Sequence, residues 1–187
     1  MKKRDFKLIK KWIEKESQHV LNGRIFRYHK KRRTSPQDDK EGNFDVIECF
    51  PWVNVLAFDE AGKLILVEQY RHGVDDLTLE IPGGAVNHGE DVKLSAQREL
   101  LEETGYSSDE WHFLGNVQAN PAFMTNDCST FLAMNCKKTS DQKLDPMEEI
   151  DIHLVTLDSF KDKIKRGEIK HSLVIAAYAL YSFWKNP

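Results

Sequence analysis

GAVNHGEDVKLSAQRELLEETGY, residues 84–106, gathers four glutamates, an aspartate and an arginine into one glycine-bounded segment. On a helix, Glu99, Glu102 and Glu103 stand at i, i+3 and i+4 and share one surface, where like charges repel. Folding gains nothing from such a cluster. One reading is a solvated acidic helix face. The other is a bound hard dication such as Mg2+, which takes oxygen ligands and meets proteins through a few carboxylates and substrate phosphates. Val92, Ala96 and Leu100 supply an apolar face to the same helix, and Gly105 fits a left-handed terminator.

Working outward, Pro82-Gly83-Gly84 breaks a short strand-like run, residues 77–81, just before the acidic helix. Earlier, VNVLAF follows Trp52, and Asp59-Glu60-Ala61-Gly62 reads as a hairpin turn into KLILVEQYR. Later, residues 111–118, 129–135 and 150–156 have strand character, and 159–166 and 171–184 helix character. The last of these is so apolar that it is expected to be buried. At the start of the chain, Phe6, Ile9, Trp12 and Ile13 recur at helical spacing, predicting an amphipathic helix over 4–19. Residues 24–32 and 44–50 then read as strands around the turn-forming RTSPQDDKEG. Because helices and strands do not alternate regularly, the expected class is an α+β sandwich. Residues 1–50 form a helix-plus-hairpin lobe in this reading, and 51–187 the main domain.

With 187 residues, 40% of them hydrophobic, the chain can build one sizeable core. No apolar run approaches the roughly 18 residues of a membrane span, and MKKRDFKLIKKWIEKE is charged where a signal peptide is apolar, so no membrane partner and a cytoplasmic location are expected. Cys49, Cys128 and Cys136 are odd in number and lack metal-ligand spacing, which suggests buried reduced thiols. A formal charge of -3 gives no global reason to bind nucleic acid. The local run His29-Lys30-Lys31-Arg32-Arg33 reads either as a solvated hairpin tip or as a phosphate-facing edge.

By spacing, the opening segment is Gly84, five residues, Glu90, seven residues, then Arg98-Glu99-Leu100-Leu101-Glu102-Glu103-Thr104-Gly105-Tyr106. This resembles the Nudix box at every fixed position, with Tyr106 standing where an aliphatic residue is usual. The resemblance implies a Nudix-type α/β/α sandwich with a mixed sheet. It also implies hydrolysis of a nucleoside diphosphate linked to another group, by a metal-activated water attacking phosphorus. In that family Glu99 and Glu103 would be the main Mg2+ ligands, Glu102 would share a second ion and act in catalysis, and the Gly83 carbonyl would contribute. Mn2+ suits the same oxygens. Arg98 is then an internal counter-ion, and Glu90 its partner or an outer ligand.

Outside the box, Glu68-Gln69-Tyr70-Arg71, Leu79-Glu80-Ile81-Pro82-Gly83-Gly84 and Pro121 resemble the ADP-ribose pyrophosphatase branch. Arg71 would hold a phosphate, or else form a surface salt bridge. Glu80 would accept from a ribose or base, or pair with an arginine. In Asp145-Pro146-Met147-Glu148-Glu149 the branch supplies a catalytic acid; Glu148 is the choice, with Glu149 beside it. Trp52, Phe26, Tyr28 and Phe50 are candidates to stack on a nucleobase, or are core residues. Asn120, Asn126 and His171 are further polar candidates, and for His171 packing or hydrogen bonding is the simpler role.

The resemblance further implies a homodimer in which the 1–50 lobe completes the partner's site. The substrate it points to is ADP-ribose or a related nucleoside diphosphate sugar, giving a nucleoside monophosphate and a sugar phosphate. The alternatives are another nucleotide sugar, such as GDP-mannose, or a non-catalytic Nudix-fold sensor of nucleotide sugars. The sensor reading is disfavoured by the intact box acids and the lack of a DNA-binding segment.

Overall fold

The protein is described by a computed structural model covering residues 9–185. It divides into two compact units, one running to Cys49 and including Asn120–Thr125, the other comprising Phe50–Ala119 and the residues from Asn126 onward.

The first unit is a three-stranded antiparallel sheet in the order β1-β2-β3, with β1 Ile13–Asn22, β2 Phe26–Thr34 and β3 Glu41–Cys49. Segment 120–125 joins β3 through Ile47 N–H to Phe123 O (2.7 Å) and Thr125 N–H to Ile47 O (3.1 Å). The helix expected over 4–19 is not there. Residues 4–8 lie outside the described residues, and from Ile13 the chain is a strand. An amphipathic helix needs a core on which to lay its apolar face, and every residue of β1 is exposed. Pairing with β2 instead satisfies the backbone and sets Glu14 against Lys31 (3.0 Å) and Arg33 (3.6 Å), and Glu16 against Arg32 (3.4 Å). Trp12 finds the edge of Phe44, with ring centroids 5.4 Å apart.

The second unit carries β4 Trp52–Asp59, β5 Leu64–Arg71, β6 Asp76–Glu80, β7 Gly83–Ala85, α1 Val92–Thr104, β8 Tyr106–Ser107, β9 Glu110–Gln118, β10 Asp127–Lys138, β11 Ile150–Val155, α2 Leu157–Lys165 and α3 Ser172–Lys185. The sheet runs β11-β5-β4-β10-β8, with β6 on β5, β7 on β4 and β9 on β10. It is mixed, because β4 and β10 are parallel while the other pairings are antiparallel. Alternation along β4 sends Val53, Val55 and Ala57 to one face, where they pack with Ala96 and Leu100 of α1. Leu56 and Phe58 go to the other face, with Phe160 of α2 and Val174, Ala177 and Tyr181 of α3. This is the α/β/α sandwich that the resemblance implied.

Contrary to expectation, α3 is not buried all round. Only Val174, Ala177 and Tyr181 are buried, while Phe183 is 73% exposed. An outer-layer helix buries one stripe at i, i+3 and i+7, whatever its overall apolarity.

Candidate active site

The acidic helix is set by its ends. Asp91 caps it by accepting from the Lys93 and Leu94 amides, and Gly105 closes it at φ 69° with its N–H on Leu101 O. Helix α1 then packs against the short strand β7, which is hydrogen-bonded in register to β4 (Asn54 opposite Gly83, Val53 opposite Gly84). The two glycines are required by space. A Cβ on Gly83 would stand 2.2 Å from Val53 O, and one on Gly84 would stand 2.4 Å from the Glu99 carboxylate. Backbone and carboxylate therefore lie closer than any side chain at 84 would permit.

Arg98 organises the exposed side of the cluster. Its Nε and Nη2 fork the Glu90 carboxylate at 2.8 and 3.0 Å, and Nη1 reaches Glu99 (2.7 Å) and Glu102 (3.0 Å). Nη2 also donates to Ala85 O and Ser95 Oγ. Hydrogen bonding to Arg98 holds Glu90 down to about 2. The fate of Glu99 and Glu103 is the reverse. Burial pushes Glu99 up against the pull of Arg98, aided by the charges of Glu102 and Glu148. Glu103 is 5% exposed and is pushed up strongly, first by burial and then by Glu99 and Glu148, with the Gly83 amide at 3.0 Å opposing.

The register of β11 explains why Glu148 belongs to this field. Ile150 pairs with Gln69 in an antiparallel ladder, so the chain just before it runs alongside Arg71. The Glu148 charge acts on Glu99, Glu103 and Arg71, and Glu149 is not among the leading influences on any of them. Glu148 closes its own turn, its Oε2 accepting the Asp145 amide at 3.1 Å.

Arg71 and Glu80 are joined to each other. Arg71 Nε and Nη2 fork Glu80 at 2.8 and 2.9 Å, Thr78 Oγ1 donates to Glu80 Oε1 at 2.7 Å, and His171 Nδ1 lies 3.1 Å from Glu80 Oε2. Burial alone would raise Glu80, but these donors win and hold it well below the usual carboxylate range. The arginine-pairing alternative for Glu80 is thus the geometry found. Thr78, missed in the sequence, was legible as the residue two before Glu80 on the same strand face. Trp52 is half-buried and donates Nε1–H to Asn54 Oδ1 at 3.2 Å.

Phe26 and Tyr28 belong to the first unit, whereas the carboxylates, Arg71 and Trp52 belong to the second. The Phe26 ring lies against Gly23, where a Cβ would stand 2.6 Å from it, and Tyr28 OH donates to Asp45. Pro121 and Asn120 are also in the first unit, and Phe50 is exposed. Asn126 is in the second unit, with its Oδ1 buried.

The donor set suits a hard divalent ion. Glu99, Glu102 and Glu103 offer oxygens only, and Glu99 and Glu103 lie against the Gly83–Gly84 turn. In this structure no three Asp, Glu, His or Cys side chains among the described residues converge on one point. Glu99 and Glu102 are drawn to Arg98, and Glu103 to the Gly83 amide, the nearest positive poles. A shared ion would therefore require Glu102, the most exposed of the three, to turn from Arg98.

Comparison with known proteins places the chain in a family. Residues 50–178 match the family model described as the NUDIX domain. The methanol dehydrogenase activator of Bacillus methanolicus is 34% identical over 126 residues, 67% of this chain and 68% of that one. The ADP-ribose pyrophosphatase of Bacillus subtilis is 28% identical over 163 residues, 87% and 86% of the two chains. That of Mycobacterium tuberculosis is 30% identical over 135 residues, 71% and 65%. In fold, the crystal structure of an ADP compounds hydrolase superposes with a TM-score of 0.81 at 20% identity, covering 94% of this chain and 95% of that one. The glycine cradle, the arginine-braced glutamates of α1 and the match over residues 50–178 lead to one conclusion: the chain belongs to the Nudix family of hydrolases.

Proposed function

We propose that this protein is a Mg2+-dependent pyrophosphohydrolase of ADP-ribose or a related nucleoside diphosphate sugar, releasing a nucleoside monophosphate and a sugar phosphate. The observation that carries the reading is the crowding of Glu99 and Glu103 against the Gly83–Gly84 turn, with both carboxylates raised by burial and by neighbouring acids. The names of the Bacillus subtilis and Mycobacterium tuberculosis relatives supply the substrate class.

Glu99, Glu102, Glu103 and the Gly83 carbonyl would hold the metal. When bound, a divalent ion supplies a lowered water pKa and neutralises phosphate oxygens. Glu148, exposed and facing the same field, takes the proton from the attacking water. Arg71 binds a diphosphate oxygen while Glu80 fixes its plane. Arg98 keeps Glu99 and Glu102 in place, and Glu90 keeps Arg98 in place. Trp52 is the stacking candidate of the second unit for the base, and Phe26 and Tyr28 are those that the 1–50 lobe offers. Residues 1–50 form the dimerisation lobe of a homodimer, and the protein works in the cytoplasm. Among the described residues, no helix is long and apolar enough to cross a membrane.

A screen of ADP-ribose, GDP-mannose, other nucleotide sugars, NADH and coenzyme A, read by phosphate-containing products with Mg2+ or Mn2+, tests the activity. ADP-ribose is expected to rank first, and failure on every diphosphate would overturn the reading. Glu148→Gln is expected to lower kcat about 100-fold and Glu149→Gln to leave it within about threefold, the scale of losing one key catalytic group. Light scattering at micromolar concentration is expected to give twice the monomer mass.

A further inference from the structure

Glu80 is 4% exposed and serves three elements at once. From β5 it takes both arms of Arg71, from its own strand β6 it takes Thr78 Oγ1, and from the residue preceding α3 it takes His171. A guanidinium fork needs both carboxylate oxygens in its own plane. Thr78 pins Oε1 and His171 Nδ1 approaches Oε2, so the carboxylate is held at both ends and cannot swing about its last torsion. His171 Nδ1 is itself buried and lies 3.1 Å from Glu80 Oε2 without the alignment of a full hydrogen bond, Glu80 being the acceptor within its reach. The contact requires only an N–H on Nδ1, which the cation and one neutral tautomer both carry. The His171 carbonyl meanwhile accepts the Val174 and Ile175 amides, so the imidazole is anchored by the first turn of α3.

Resting on the reading that Arg71 faces the diphosphate, we propose that His171 is a positioning residue: through the close contact of Nδ1 with Glu80 it fixes the plane in which Arg71 presents its guanidinium to a substrate phosphate. The arm runs from the residue preceding α3 to β6 to β5, and His171 itself makes no bond to the reacting atoms. Its loss loosens binding in ground and transition states alike, which raises KM and leaves kcat nearly unchanged.

The test uses three substitutions in the full chain. Ser at 171 keeps a good residue at the head of the helix but has no arm to reach Glu80. Asn places an amide N–H where Nδ1 stands, and Gln places one farther out, where Nε2 stands. Two quantities are read for wild type and each variant: KM and kcat for ADP-ribose, and solvent exchange of the Arg71 Nε–H by NMR. His171→Ser and His171→Gln are expected to raise KM about tenfold with kcat within about twofold, and to speed Nε–H exchange about tenfold, the scale of one hydrogen bond to a charged group. His171→Asn is expected to restore both. Unchanged exchange in His171→Ser, or equal losses in His171→Asn and His171→Ser, would overturn the proposal in favour of plain packing. If wild type cleaves no diphosphate, the functional reading fails by itself, and the exchange rates alone decide whether His171 positions Arg71.

Discussion

The Gly83 amide donates to Glu103 Oε2 at 3.0 Å, tying the end of the acidic helix to the turn that a metal-bound diphosphate would face. That hydrogen bond and the charge of Arg71 compensate only in part, and burial, Glu99 and Glu148 push the pKa of this nearly buried carboxylate up. Glu103→Gln keeps an oxygen for the amide and removes the charge. The metal-free variant is expected to melt a few degrees higher than wild type, to lose the stabilisation that Mg2+ gives, and to turn over about 100-fold more slowly. Thermal unfolding with and without Mg2+ checks the first two, and steady-state kinetics the third. A metal-free melting point well below that of wild type would contradict the electrostatic account.

Arg98 serves three carboxylates, so its removal is more costly than that of any one partner. Arg98→Met is expected to destabilise by about 2 kcal/mol, less than a fully buried broken pair because the guanidinium is 27% exposed. Glu90→Gln is expected to cost less than half as much. Urea unfolding of both variants supplies the comparison.

The pH profile of the metal-free protein follows from two opposite shifts. Glu90 is held at about 2, so its contribution is present above the ordinary glutamate pKa of about 4.3 and is lost as pH falls toward 2. Glu99 and Glu103 are raised, so their ionisation costs stability as pH climbs from that ordinary value through their raised ones. Melting points in EDTA are expected to peak at mildly acidic pH, falling on both sides. Mg2+ is expected to lift the alkaline side selectively, and a uniform lift across pH would argue against these two carboxylates as ligands.

The two glycines of the turn differ in what crowds them. Gly83→Ala drives a methyl into Val53 backbone oxygen, which cannot move without breaking β4–β7 pairing, and is expected to cost about 2–3 kcal/mol. Gly84→Ala meets a side chain instead, so Glu99 swings aside. Stability is expected to fall by less than about 1 kcal/mol while activity falls at least about tenfold. Unfolding curves and turnover, measured on both, separate the two cases.

Thiol labelling probes the core. Burial raises the Cys128 and Cys136 thiols to about 12, whereas Cys49 is only partly buried and less affected. Native protein is expected to react slowly at one cysteine, and Cys49→Ser to abolish that reaction until denaturant is added.

Much of the site was legible in the order of residues because local geometry carries it. Helix spacing puts Glu99, Glu102 and Glu103 on neighbouring positions of one helix, the cap residues Asp91 and Gly105 fix the ends of α1, and Arg98 reaches its partners from its own helix and the loop before it. Hairpin chemistry at Asp59–Gly62 likewise needed no tertiary information. Among the described residues 9–19, the helix reading failed for a complementary reason. Their apolar spacing says helix, but spacing stabilises a helix only when a core receives the face, and the chain offers β2 instead.

The sequence by itself determined the acid-bearing helix, the glycine turn before it and the family to which both belong. Tertiary structure alone decided that Glu148 shares the field of Glu99 and Glu103, that Glu80 holds Arg71 while His171 reaches Glu80, and that the chain near residue 13 is a strand. The division is physical. Contacts within a few residues are set by backbone periodicity, whereas β11 beside β5 and His171 beside Glu80 of β6 depend on burying surfaces dozens of residues apart, which no local pattern encodes.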